Sequence, residues 1–315
     1  MSTVDTNATA IDTVAEGIDK VDISDNNNEK CASCGKEGKS EDMNTCNKCK
    51  MVKYCNAACK KKHRSKHKKA CERRVAELHE EALFKEVERD ECPICFLPMP
   101  IDGDENSFKS CCGKTICNGC IYAMRMSEGK QICAFCRTPT VTSDEEFIKQ
   151  LKKLINNGNA EAFNSLAGYY SGGNLGVPQD HRKASELYLK GGELGCANSY
   201  FNLGVSYYNG WGVENDLKKA KHYWELAAMG GDVDARHNLG AMEGEACNVD
   251  RAIKHLILAA RAGDKIALDA VKEGLTMDGL VTKDEYASTL RAYHERQTEM
   301  RSDARNKAAA SGFFE

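Results

Sequence analysis

Fifteen of the seventeen cysteines in this 315-residue chain fall between Cys31 and Cys136. Cysteines that dense either pair as disulfides in an oxidising compartment or bind metal in a reducing one. The first thirty residues carry seven acidic and two basic side chains and lack the basic start and apolar core of a secretory leader. Nor is there a run of about 18 apolar residues able to span a bilayer. The expected setting is therefore intracellular, cytoplasmic and/or nuclear, where clustered cysteines serve metal more often than disulfides.

Composition divides the chain into segments. Residues 1–30 are an acidic stretch with too little apolar surface to offset chain entropy, and they read as disordered. Residues 31–71 hold seven cysteines and residues 92–140 hold eight. Between them, residues 72–91 contain no Gly or Pro and read as a helical linker with Val75, Leu78 and Ala82 on one face. From residue 143 the cysteines give way to Ala, Gly, Leu and Tyr, opening with a capping box, Ser143 with Glu146. The formal charge of -3 describes neither a basic nucleic-acid coat nor an acidic tail.

Residues 143–280 repeat. Leu166, Leu203 and Leu239 recur at intervals of 37 and 36 residues, and Ala184, Ala220 and Ala252 align in the second halves. A period in this range indicates a solenoid of stacked helix pairs. Gly204 and Gly240 let helices approach closely, while Gly210 and Gly212 fall in a loop where positive φ is needed. The second repeat, LGVSYYNGWGVENDLKKAKHYWELAAMGG, resembles a Sel-one-like repeat, a relative of the tetratricopeptide repeat. The first repeat departs from it with Ala167 after Leu166, and the third is shorter by about four loop residues. Trp211 and Trp224 read as packing residues, and so do the isolated Cys196 and Cys247. Residues 281–315 begin with a second capping box, Thr282 with Glu285, and read as a capping helix and tail sealing the last repeat.

In the first cysteine segment the spacing is Cys31-x2-Cys34, Cys46-x2-Cys49, Cys55-x3-Cys59 and His67-x3-Cys71, eight ligands for two tetrahedral zinc ions. His63 competes with His67 on spacing alone, because 59, 63, 67 and 71 form one i, i+4 stripe of a helix. The pattern, with Tyr54 before Cys55, resembles a MYND finger. That resemblance implies interleaved sites, Cys31, Cys34, Cys55 and Cys59 in one and Cys46, Cys49, His67 and Cys71 in the other, and binding of short proline-containing peptides. From Cys46 through Arg74 there are twelve Lys or Arg and one Glu. These cations either stabilise the zinc-bound thiolates or form a surface for phosphates or nuclear import.

The second segment runs Cys92-x2-Cys95, Cys111, Cys112, Cys117-x2-Cys120 and Cys133-x2-Cys136. CPIC, CCGKTICNGC and CAFCR resemble a RING finger, with Lys114 where a histidine ligand usually stands. Eight ligands remain if the adjacent Cys111 and Cys112 both bind. Neighbours on a strand point apart, but in a turn before Gly113 they can converge. The resemblance is to the all-cysteine subtype, with Cys92, Cys95, Cys117 and Cys120 in one site and Cys111, Cys112, Cys133 and Cys136 in the other. Spacing leaves open a seven-thiolate version with a water or a distant ligand in the eighth place.

The expected architecture is multidomain: two small zinc-bound α+β modules of treble-clef and cross-brace type, then an all-α helical-repeat solenoid. Four Zn2+ are expected. A RING resemblance implies recruitment of a ubiquitin-charged E2 enzyme, with Ile94 packing on the E2 and Arg137 bridging E2 and ubiquitin; Ala134, where a proline is usual, departs from the pattern. The expected function is an adaptor acting as an E3 ubiquitin ligase, with the MYND finger and repeats binding substrate or partners. The alternatives are a non-catalytic scaffold for protein complexes and a nucleic-acid-associated regulator using the basic helix. A SET-type methyltransferase finds no room, since residues 143–315 are taken up by helical sequence.

Overall fold

The computed structural model describes residues 28–312 apart from Lys130, Met277 and Asp278. The segment 1–27, most of the stretch read as disordered, lies outside the described residues, as do 313–315. The chain forms two compact units, one ending at Leu78 and the other beginning at His79.

The first unit contains two antiparallel pairs, β1 (Asn28–Lys30) with β2 (Glu37–Lys39) and β3 (Asn44–Thr45) with β4 (Lys53–Tyr54), followed by helix α1 (Ala57–Leu83), whose last turn belongs to the second unit. Its buried cluster is Cys31, Met43, Cys46, Cys49, Tyr54 and Cys71, mostly sulfur rather than hydrocarbon. So small an apolar core cannot hold a fold by burial alone.

The helical linker of residues 72–91 needs correction. No Gly or Pro interrupts the chain after Cys71, so the helix begun at Ala57 continues and stops at Leu83. Val75 and Ala82 are exposed, and the apolar contact comes instead from Leu83, fully buried, and Phe84. Arg236 ends the helix, donating to the carbonyls of Leu83 at 3.0 Å and Lys85 at 3.3 Å.

The second unit opens with a hairpin, β5 (Asn106–Lys109) and β6 (Lys114–Cys117), and helix α2 (Asn118–Glu128). Helix α3 (Asp144–Asn156), capped by Ser143, precedes three helix pairs: α4 (Ala160–Gly172) with α5 (His181–Glu193), α6 (Ala197–Asn209) with α7 (Leu217–Met229), and α8 (Val233–Glu245) with α9 (Val249–Arg261). All six paired helices are 13 residues long, about 20 Å each. The turn of the third pair, residues 246–248, is the short one, as the missing loop residues require. Helices α10 (Lys265–Thr276) and α11 (Lys283–Glu299) pack on α9 and on each other, and α11 starts with the Thr282–Glu285 capping box.

Small residues in the first helix of a pair match the bulk facing them from the second. A Cβ on Gly204 would lie 2.4 Å from the Trp224 ring, whose Nε1 donates to Phe201 O. Leu256 occupies Trp224's place in the third pair, and a Cβ on Gly240 would meet it at 3.1 Å. In the first pair the residue there is Tyr188, and Ala167 fits in the same buried cluster. Trp211 is not a core residue: it is 47% exposed and stacks on His181. Cys247 is also exposed, in the α8–α9 turn, whereas Cys196 is buried.

The second cysteine segment and the solenoid form a single unit instead of separate domains. Asn159 at the start of α4 donates to Gly113 O, Ser110 Oγ donates to Gln150 of α3, and Phe108 packs into the first repeat's core. A further helix, α12 (Asp303–Ala310), packs on α2, so the C-terminal segment does more than seal the last repeat.

Two buried ionisable groups make this unit acid-sensitive. His255 on α9 is fully buried, 4.7 Å from the Phe84 ring, with neither ring nitrogen hydrogen-bonded among the described residues. Burial, helped by Arg236 and Arg251, pulls its pKa down to about 3. Glu243 is also fully buried; burial opposes its charge, but Lys221, Arg251 and Asn248 donate to it and bring it to about 2.

Two outcomes follow from this packing. Gly204→Ala should destabilise the metal-loaded chain by about 1–3 kcal/mol through overpacking against Trp224, read as a lower thermal midpoint. The folded state cannot protonate His255 where the unfolded state can, so stability should fall as pH drops below the ordinary value of 6.5, and Glu243 adds a loss below 4.5. His255→Leu should flatten the upper part of that profile, and an unchanged slope would assign it to other groups.

Candidate metal centres

Four short turns of one design carry half of the candidate ligands. In each, the first cysteine of a Cys-x2-Cys pair accepts at its carbonyl from the backbone N–H four residues on: Gly35 to Cys31, Lys50 to Cys46, Phe96 to Cys92 and Arg137 to Cys133, all at 2.9–3.0 Å. Each of these four donors sits at positive φ, from 53° to 73°. The left-handed residue folds the chain back so that both thiols point the same way, and only Gly35 adopts it without steric cost.

In the first unit the structure brings Cys31, Cys34, Cys55 and Cys59 together, and separately Cys46, Cys49, His67 and Cys71, with all ligand atoms of each set within 4.8 Å of one another. The Cys34–Cys55 and Cys55–Cys59 Sγ separations are 3.6 Å, Cys46–Cys71 is 3.8 Å, and Cys49 Sγ lies 3.2 Å from His67 Nε2. Thiolates around tetrahedral zinc are ~3.8 Å apart. His67 and its rival His63 are told apart here. His63 Nδ1 lies 3.2 Å from the Tyr54 hydroxyl, outside both quartets, and its ring stacks on that of His67 at 5.8 Å.

In the second unit the quartets are Cys92, Cys95, Cys117, Cys120 and Cys111, Cys112, Cys133, Cys136. The adjacent pair converges because Ser110–Gly113 is the turn of the β5–β6 hairpin. Cys112 and Gly113 both donate to Lys109 O, and Gly113 adopts φ +68°. Cys111 lies 3.4 Å from Cys136, and Cys112 lies 3.9 Å from Cys133. Lys114, in the place of the usual histidine, is exposed and joins neither set. In both units successive ligand pairs alternate between the two sets, tying the chain crosswise.

The donor chemistry fits a soft divalent cation. In the first set the backbone N–H of Cys55 holds Cys31 down to about 6 against burial, while the hydrogen bond with Cys59 pushes Cys55 up to about 12. In the other, burial opposes ionisation of Cys46 but the N–H groups of Cys49 and Lys48 bring it to about 6, and burial lifts Cys71 to about 11. Burial raises Cys112 to about 11 and sends Cys111 and Cys120 further up, while hydrogen bonds from Thr138 outweigh burial at Cys136 and hold it near 6. Four clustered thiolates repel one another, and a bound divalent cation lets them ionise together.

Two supporting cations were not visible in the spacing. Arg305 of α12 donates to the carbonyls of Pro98 and Met300 at 2.8 Å and reaches Cys95 Sγ at 3.5 Å, from 210 residues away. Gly119 of α2 makes room for it, since a Cβ there would lie 2.7 Å from the Arg305 backbone nitrogen. Lys109 lies near Cys111, Cys112 and Cys133, its ammonium pushed below the usual range by burial.

Ile94 and Phe135 occupy equivalent places between the cysteines of their turns, as do Phe96 and Arg137 after them. Ile94 is half-buried against the sulfur core; Phe96 is 70% exposed and Phe135 43%. The exposed Arg137 guanidinium donates to Glu128 at the end of α2 at 2.7 Å.

Metal counting by native mass spectrometry tests the quartets one at a time. Cys112→Ser should lower the bound metal by one ion while the sites of residues 31–71 keep theirs. Arg305→Ala should leave the count unchanged when metal is in excess but speed its loss to a chelator, as removal of supporting groups around ligands does by ~10–100-fold in affinity.

The MYND finger family matches residues 31–71, and the Sel1 repeat family matches residues 160–196, 197–232 and 233–264. The ERAD-associated E3 ubiquitin-protein ligase component HRD3B of Arabidopsis thaliana is 31% identical over 113 residues, 36% of this chain. The match spans 17% of that relative's length. Among solved structures, a Sel1 repeat protein from Oxalobacter formigenes is similar at 21% identity and TM-score 0.45, over 57% of this chain and 71% of that one. The protective antigen c5321 of uropathogenic Escherichia coli, with an SLR fold, is similar at 20% identity and TM-score 0.44, over 62% and 42%. The RING resemblance of residues 92–140 rests on the cysteine clusters themselves. Residues 31–71 are a MYND finger, which implies zinc, and residues 160–264 are three Sel1 repeats, so the chain joins two kinds of protein-interaction module.

Proposed function

We propose that this protein is a zinc-stabilised adaptor working as a RING-type E3 ubiquitin ligase. In this reading each of the four quartets holds one zinc ion, residues 92–140 recruit a ubiquitin-charged E2, and the MYND finger and Sel1 repeats hold substrate or partner proteins. Zinc supplies rigidity, and the chemistry belongs to the E2. The observation that carries the reading is the crosswise pair of all-cysteine quartets presenting Ile94 and Arg137 on its two turns. A relative named as an E3 ligase component supports it.

Such a module accelerates transfer by orientation, holding the E2–ubiquitin thioester in a reactive geometry. Ile94 offers a partly buried apolar anchor, flanked by the exposed Phe96, and Phe135 does so from the other turn. Arg137 has guanidinium donors to spare beyond its bond to Glu128. An exposed pair of this kind is worth ~0–1 kcal/mol, so releasing Glu128 to reach E2 and ubiquitin costs little. The setting is cytoplasmic or nuclear, where thiols stay reduced. Among the described residues no helix is long and apolar enough to cross a membrane.

The second reading is a scaffold that binds proteins through the same surfaces without an E2. It is favoured by Ala134, which replaces the usual proline beside the E2-facing turn. Ubiquitin discharge by the full zinc-loaded chain over an E2 panel separates the two. The ligase reading expects activity, lowered about tenfold, roughly 1.4 kcal/mol, by Ile94→Ala and by Arg137→Ala with zinc content unchanged. No discharge with any E2 at full zinc content leaves the scaffold.

A further inference from the structure

Helix α1 presents a run of cations that the zinc sites do not use. Residues 60–69 hold seven Lys or Arg and no acid. At about 100° per residue, Cys59, His67 and Cys71 share one face of the helix with His63. Lys61, Lys62, Arg64, Lys66, Lys68 and Lys69 cover the rest of the circumference, and all six are exposed. Lys60 alone turns inward, donating to Thr45 O and to Asn47. Among the described residues only Lys68 of the six approaches a carboxylate, Glu72, at 4.0 Å.

This arrangement decides between the two uses the sequence allowed for the basic run. Cations meant to steady the thiolates would sit on the ligand face. Lys61, Lys62, Lys68 and Lys69 sit on the far side of a helix ~10 Å thick, about a Debye length at physiological salt, where their effect on the sulfurs is largely screened, and Arg64 and Lys66 stand on its flanks. The helix retains its charge for an external anion.

We propose that the solvent face of α1 from Lys61 to Lys69 binds the phosphate backbone of a nucleic-acid duplex, without sequence preference. The cations line both flanks of the helix as well as its crest, which suits a groove with phosphates on either wall; the major groove of B-DNA, ~12 Å wide, admits a helix. An acidic peptide would meet only one flank. Insertion into a bilayer needs an apolar face, and the residues between these cations, His63, Ser65 and His67, supply none. The face has no Asn or Gln to read adenine, and its one arginine, Arg64, stands on a flank toward the groove wall, so contacts to phosphate set the affinity.

Fluorescence anisotropy with the full zinc-loaded chain and a duplex of about 20 base pairs, between about 50 and 200 mM salt, tests this independently of any ligase assay. Four or five phosphate contacts should give a slope of log affinity against log salt of roughly -3.6 to -4.5. The Lys62→Gln, Lys66→Gln, Lys69→Gln triple variant removes no metal ligand and should reduce that slope by about 2–3 at unchanged zinc content. Polyglutamate and phosphatidylserine vesicles serve as competing anions. The proposal is overturned by no duplex binding at the lowest salt, by a slope the triple variant leaves alone, or by equal affinity for either competitor.

Discussion

Convergence of four donor atoms in a space under 5 Å, repeated four times, is the constraint on which the cysteine-rich half of this protein depends. Each quartet draws on two stretches of chain, and the stretches alternate between quartets, so the two sites of a unit share the loops that run between them. The backbone does much of the positioning. Four turns with the same hydrogen bond and the same left-handed residue aim eight of the sixteen candidate ligands. Three of those residues, Lys50, Phe96 and Arg137, accept a conformation costing a non-glycine residue roughly 1–2 kcal/mol. A bound metal ion, worth ~10 kcal/mol or more to a small zinc module, overrides that cost.

Arginine does for the second unit what thiolate chemistry does for the knuckles. Arg236 of α8 holds the carbonyls of Leu83, Lys85 and Ala228, so the chain leaving α1 is fastened where the second and third repeats meet. Arg89 spans Pro100 and Ala262. Arg305 joins Pro98 to Met300 and reaches a candidate ligand sulfur. A guanidinium has five donors in a fixed planar fork and can close several carbonyls at once, with more donors and a more fixed geometry than the three of a lysine ammonium on its flexible stem. The consequence is functional: residues 92–140 are built into the solenoid. A partner held by the repeats and one held by the RING-like turns would therefore keep a defined geometry, which catalysis by orientation requires.

The same economy shows in the repeats. Trp224, Tyr188 and Leu256 take equivalent places, and each is opposed by a glycine or an alanine. The departure at Ala167 is a matched change and leaves the repeat intact. Among the aromatic residues, Trp211 escaped this logic. It lies in the α6–α7 loop on His181, and nothing in its neighbours' periodicity distinguishes a loop tryptophan from a core one.

Local rules carried the sequence a long way. Ligand spacing named fifteen cysteines and narrowed the sixteenth ligand to two histidines, repeat length marked the helix pairs, and Ser143 and Thr282 announced their helices, because each depends on residues a few positions apart. His67 against His63 could not be separated by spacing, since both lie on one helical stripe; the Tyr54 hydroxyl beside His63 separates them in space. The convergence of Cys111 with Cys112 hung on the conformation of Gly113. The end of α1 at Leu83, the docking of α12 on α2 and the approach of Arg305 to Cys95 were set by residues 150 to 210 positions away. Spacing records what neighbours along the chain can do together. Which distant carbonyl an arginine closes, and which face of a basic helix is left to solvent, is decided only when the whole chain packs.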